Sequence, residues 1–135
     1  MKKFEFLSHT ADVKFKAYGK TLNQIFENSV EAFSFIATRG RKVKHLKKRK
    51  ITLEGDDNES LLYKLMDELI FLIDAKGFLV SSSKLIVKDS KLKGELKGDN
   101  SKNYKGMESI KSATYAEMYV KKTNNGYEAQ VVLDV

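Results

Sequence analysis

The chain has 135 residues, of which 41% are hydrophobic and 32% charged, with a formal net charge of +7. That length and balance suit one globular domain spanning residues 1–135 and exclude a disordered chain. The absence of cysteine excludes disulfides, thiol nucleophiles and cysteine-bound zinc. No apolar run approaches the roughly 20 residues of a membrane-spanning helix, and residues 1–6 lack a secretory leader, so the expected location is cytoplasmic, with no membrane partner.

Residues 4–18 read as strand with a break near Ser8-His9-Thr10; Ala11, Val13, Phe15 and Ala17 alternate with Asp12, Lys14 and Lys16. Gly19 ends that strand, and Thr21-Leu22-Asn23-Gln24 has the pattern of a capping box. A helix follows with Leu22, Ile25, Phe26, Val30, Phe33 and Ile36 at helical spacing, ending by Gly40. A strand is expected from about Val43 to Leu53. Asp56, Asp57 and Asn58 offer caps for a second helix, whose stripe is Leu61, Leu62, Leu65, Met66, Leu69 and Ile73 and which Gly77 stops. Short strands are expected at Phe78–Val80, Lys84–Lys88 and Lys91–Lys97. A long loop is expected over 98–107, and two closing strands near 108–121 and 127–134. Thr123-Asn124-Asn125-Gly126 joins the last two, its Asn-Gly step being a hairpin signal. The sum is α+β: two amphipathic helices packed on a largely antiparallel sheet in a single-domain sandwich.

Four groups of residues are candidates for chemistry. Asp12 opposes the face of Val13 and Phe15, and Asp134 shares a face with Glu128, Gln130 and Val132. If those strands meet, two aspartates and the carboxyl group of Val135 form an all-oxygen site for a hard divalent cation; spacing alone equally allows two solvated aspartates. His9 with Ser8 or Asp12 suggests a hydrolytic dyad, but no nucleophile-elbow glycines surround Ser8, and His9 reads better as a hydrogen-bonding partner before Asp12. Residues 39–50 hold eight Lys or Arg, enough to attract a phosphate backbone or simply to guard a sheet edge, and they lack aromatics for base stacking. His45 lies within them and reads as exposed. Lys111 by itself reads as a surface lysine. No phosphate-binding glycine loop occurs.

Several segments together resemble the archease family. Ser8-His9-Thr10-Ala11-Asp12-Val13 with Ala17-x-Gly19-x-Thr21-Leu22 is similar to its N-terminal pattern. Leu65-Met66-Asp67-Glu68-Leu69 resembles its second helix, and Ile110-Lys111-Ser112-Ala113-Thr114-Tyr115 a later strand. Val131-Val132-Leu133-Asp134-Val135 resembles its ending. The resemblance implies a non-catalytic activator of the GTP-dependent RtcB-type RNA ligase, promoting ligase guanylylation and multiple turnover in tRNA splicing and RNA repair. GTP and tRNA would be met only through the ligase. It also implies that Asp12, Asp134 and Val135 bind a divalent metal ion (Ca, Mg or Mn), with Lys111 and His9 as functional neighbours. The chain departs from the family pattern at Ser8, where an acid is usual, at Ala116, where histidine often follows Thr-Tyr, and over 98–107, which lacks the histidine frequently found there. The second functional reading is a direct RNA-binding module using residues 39–50.

Overall fold

The computed structural model describes residues 1–7 and 12–135. Among them are strands β1 (Phe4–Leu7), β2 (Asp12–Gly19), β3 (Lys47–Glu54), β4 (Phe78–Lys88), β5 (Lys91–Asn100), β6 (Ser112–Thr123) and β7 (Gly126–Asp134). Helices α1 (Leu22–Thr38) and α2 (Asn58–Lys76) complete the fold, with a short 3-10 turn at Ser101–Asn103. No helix among the described residues is long and apolar enough to cross a membrane.

Local chemistry sets the helix ends. The Thr21 hydroxyl accepts from the Gln24 amide at 3.2 Å, and the Gln24 side chain accepts from the Lys20 amide at 2.7 Å, one residue before the cap itself. Asp57 caps α2 and Ser60 closes a reciprocal capping box, satisfying amides that the first turn leaves without partners. Gly77, at φ 63°, supplies the left-handed residue that ends α2. The buried faces are wider than single stripes: α1 also buries Ser29, Ala32, Ala37 and Thr38, and α2 also buries Ile70 and Leu72.

The reason is that each helix touches two sheets. The strands divide into an antiparallel sheet in the order β1-β2-β7-β6 and a second in the order β3-β5-β4, where the sequence suggests one. Both helices contact strands of both sheets, so one core is shared by Phe15, Val131 and Leu133 of the first and Leu79, Leu92 and Leu96 of the second. The helices also close two sheet edges. Glu27 and Asn23 of α1 accept from the amides of Leu85 and Val87 on β4, at 2.8 and 2.7 Å. Glu59 of α2 accepts from Val120 on β6 at 2.9 Å. Edge amides that would otherwise invite another chain are thereby used.

Boundaries move where non-local pairing overrides the local pattern. β3 begins at Lys47 instead of near 43. β4 is continuous through Ser81–Ser83, accommodated by a register shift between Val80 and Ser82. β5 extends to Asn100, shortening the expected loop, and β6 begins at Ser112 instead of 108. In the last hairpin the two turn residues are Asn124-Asn125, and Gly126 (φ 143°) already belongs to β7. A side chain at 126 would put its Cβ 2.3 Å from the Gly19 carbonyl oxygen, so this glycine serves a close approach between β7 and the end of β2.

The β4–β5 hairpin has a two-residue turn, Asp89-Ser90, with both residues at positive φ (53° and 58°), as a type I′ turn demands. A β-hydroxymethyl group is strained there. Ser90→Gly relieves that strain, partly offset by the greater freedom of glycine in the unfolded chain. It is expected to raise stability by about 0.5–1 kcal/mol, a melting shift of about 3 °C. A melting temperature unchanged or lowered in Ser90→Gly would contradict this account of the turn.

Candidate functional site

β7 lies between β2 and β6, and this central place brings distant residues together. Asp12 stands directly opposite Asp134 in the β2–β7 register, and Ser112 stands opposite Asp134 in the β6–β7 register. Facing residues in an antiparallel pair project to the same side, with Cβ atoms roughly 5 Å apart. That side faces away from the core, because the alternate residues Phe15, Val131, Leu133 and Ala113 are buried in it. Asp12, Ser112, Asp134 and Val135 are each half-buried. The Lys111 amide donates to the Asp134 carbonyl at 2.8 Å, extending the β6 ladder by one residue and fixing Lys111, whose residue is exposed, beside the two acids. His9 lies outside the described residues. His45 is exposed, far along the chain in the basic segment.

The donor set is two carboxylates, a serine hydroxyl and main-chain oxygen. No cluster of three or more His, Cys, Asp or Glu suited to a metal occurs among the described residues. Among the described residues this sparse all-oxygen set fits a hard cation that keeps several of its waters.

The same sheet face carries a second feature with no signal in the sequence. Between Thr114 and Tyr119 the register with β7 shifts, so that residues 115–118 stand against Val131 alone. Glu117 in this bulge adopts φ 60°. Its carboxylate takes Lys14 at 3.0 Å, and its carbonyl accepts from the Gln130 side chain at 2.7 Å. Tyr115, Glu117 and Tyr119 alternate as in a regular strand, which hides the extra residues. Farther along, Lys16 and Lys121 lie 4.0 and 3.7 Å from Glu128, which also accepts from the Tyr119 hydroxyl at 2.5 Å. Burial and then the Glu128 contact push the Tyr119 phenol above its ordinary range; burial and then Glu5 do the same for Tyr18. Both phenols therefore stay neutral donors at any physiological pH.

A sequence model of the archease protein family matches residues 4–135. The chain belongs to the archease family. It is 37% identical over 139 residues to a protein archease of Saccharolobus islandicus (strain M.14.25 / Kamchatka #1), with 100% of each chain covered. It is 33% identical over 141 residues to that of Methanosarcina barkeri, covering 99% of this chain and 97% of the relative. The solution structure of protein 1598 of Methanobacterium thermoautotrophicum is similar along 100% of both chains, with a TM-score of 0.80 and 32% identity. The archease likeness thus extends to the two helices and the antiparallel sheets described above.

In this archease-family chain the basic segment 39–50 does not form one surface. Arg39 lies 3.7 Å from Glu108, and Arg41 donates to the Thr38 carbonyl at 2.9 Å. Val43 is buried. The Lys44 amide donates to the Tyr104 hydroxyl at 2.8 Å, and that hydroxyl donates to Asp99 at 2.9 Å. Asp99, only 3% exposed, also accepts from the Asn100 amide at 2.7 Å and from the Asn103 side chain at 3.3 Å.

Burial alone would raise the Asp99 carboxyl. The bonds from Asn100, Tyr104 and Asn103, with the charge of Lys44, outweigh it and hold the group below the usual carboxylate range. Its contribution to stability is therefore present above the unfolded value of about 3.9 and is lost as pH falls through the lower folded value. Asp99→Asn is expected to lower the urea midpoint at pH 7 by on the order of 0.5–1 M and to flatten the decline of stability below about pH 4. An acid limb as steep in the variant as in the wild type would assign that limb to other carboxylates.

Proposed function

We propose that the chain is a non-catalytic accessory protein that activates an RtcB-type, GTP-dependent RNA ligase in the cytoplasm, promoting guanylylation of the ligase and repeated turnover in tRNA splicing and RNA repair. The observation that carries this reading is the pairing of Asp12 with Asp134, with Lys111 bonded alongside. In this reading Asp12 and Asp134 hold a divalent cation, Ca, Mg or Mn, with a main-chain oxygen of Val135 as a further donor. When bound, the cation supplies positive charge to phosphate oxygens, the principal requirement of phosphoryl and nucleotidyl transfer. Lys111 adds a positive charge at the same tip, and His9 is assigned with it to contact the partner or its phosphates. GTP and tRNA are contacted by the ligase.

Membership of the archease family, whose members are generally non-catalytic accessory proteins, supports a reading of assistance and not of catalysis. The test is multiple-turnover RNA ligation with GTP, a divalent metal and an RtcB-type ligase from the same source. Substoichiometric amounts of the protein should raise the number of ligations per ligase. A ligase indifferent to the protein in Ca, Mg and Mn alike would end this reading.

A further inference from the structure

The second sheet carries its own surface. The register and the buried positions Ile51, Leu85, Leu92 and Leu96 define which residues point away from the core. On that outer face β3 presents Lys48 and Lys50, β5 presents Lys91, Lys93 and Lys97, and β4 presents Lys84 and Lys88. Only Glu54 and Glu95 oppose them, so seven lysines against two glutamates leave a net of five positive charges on one three-stranded face.

Three observations separate this face from a generally lysine-rich surface. First, its charges are not neutralised: among the described residues only Lys48 of the seven reaches a carboxylate, Glu95 at 4.0 Å. On the outer face of the first sheet Lys14, Lys16 and Lys121 all lie within 4.0 Å of a glutamate. Second, Lys48 faces Lys97 and Lys88 faces Lys91 directly across neighbouring strands, an arrangement that disfavours folding through like-charge repulsion. Third, lysines that guard against edge pairing belong on edge strands, whereas Lys91, Lys93 and Lys97 lie on central β5. Exposed Ile86, at 56%, gives the lysine stems an apolar floor.

We propose that this outer face of β3-β5-β4 binds the phosphodiester backbone of base-paired RNA. Lysines two apart on a strand repeat at about 6.7 Å, and neighbouring strands at about 4.8 Å, so the face offers a lattice of point charges to a run of phosphates. It has no aromatic side chain for stacking bases and no arginine fork for reading their edges, so the contact is sequence-independent and favours duplex over single strands. This surface is distinct from the Asp12–Asp134 tip; its charge selects a phosphodiester backbone, and the choice of RNA rests on the ligase reading.

The test is fluorescence anisotropy with a short RNA duplex of about 20 base pairs at about 50 and 200 mM salt, with no ligase present. Lys50→Gln, Lys91→Gln and Lys93→Gln, combined, should weaken binding at least about tenfold and make the log–log salt dependence shallower by about 2–3. A matched variant, Lys2→Gln with Lys121→Gln and Lys122→Gln, removes equal charge elsewhere and should stay within about twofold of the wild type. An equal loss in both would reduce the effect to net charge and overturn the site. No binding by the wild type at the lower salt would overturn it outright. If the first variant kept its RNA affinity but lost ligase stimulation, the face would take an acidic protein surface instead, and the RNA proposal would fall.

Discussion

Replacing Asp134 with alanine is expected to abolish stimulation of the ligase without harming the fold. Residues that merely orient a metal ligand are commonly worth 10- to 100-fold, so loss of a ligand itself should cost about 100-fold or more in stimulated turnover. Asp12→Ala should have the same effect. The stability of Asp134→Ala is the second half of the test. Two carboxylates directly opposite each other across β2 and β7 repel, by about 0.2–1 kcal/mol in ordinary sheets. Without metal, Asp134→Ala should therefore melt at the wild-type temperature or slightly higher.

Adding Ca, Mg or Mn should raise the wild-type melting temperature, with about 2.7 kcal/mol of stabilisation at 100 times the dissociation constant, and should leave the variant unmoved. Equal stabilisation of wild type and variant would place the cation elsewhere. Full ligase stimulation by the variant would remove these carboxylates from the function altogether. The two readouts separate a site that fails to bind metal from one that binds it but does not matter to the ligase.

The legible parts of this fold are those set by neighbours in the chain. Thr21, Asp57 and Gly77 end their helices because capping is decided within a turn, and the apolar residues of α1 and α2 follow from a 3.6-residue period. The alternation in β2 and β7 likewise assigns Asp12 and Asp134 to the outward side. What alternation cannot supply is the partner of each strand. The division into two sheets depends on both helices being covered on two sides, and that emerges only from packing. Asp12 and Asp134 meet through the choice of β7 as the strand between β2 and β6, which no local pattern in residues 126–134 specifies. Their association was legible only through resemblance to a family.

The basic surface shows the same division. Residues 39–50 draw the eye as a run in the sequence, yet the fold scatters them: Arg39 and Arg41 are engaged locally, Val43 turns inward, and only Lys48 and Lys50 reach the outer face of the second sheet. Most of the charge on that face comes from β4 and β5, where each lysine is separated from the next by an apolar residue, a glycine or a turn. Linear charge density and surface charge density are different quantities, and register converts one into the other.

A large loss of stability is expected at Gly98, a position the sequence marks only as part of a loop. Gly98 lies in β5 opposite Val80, next to the register shift that lets β4 run on through Ser81. A Cβ there would fall 2.1 Å from the Leu79 carbonyl oxygen, 2.9 Å from the Leu79 carbonyl carbon and 3.0 Å from the Phe78 ring. Two of those three atoms are backbone, and Leu79 and Phe78 are both buried, so no exposed side chain can swing aside. Accommodating even a methyl group requires β4 and β5 to separate. That movement would disturb the Leu46 amide's bond to the Gly98 carbonyl (2.9 Å) and the burial of Leu79 in the shared core. Gly98→Ala should therefore cost about 4 kcal/mol or more, at the upper end of single substitutions. Against a total stability of about 5–15 kcal/mol for a domain of this kind, a large part of the margin would be gone. Urea unfolding followed by circular dichroism measures the loss directly. A midpoint close to the wild type would mean that β4 and β5 can part at that point at little cost, and that the glycine at 98 is not held there by close approach.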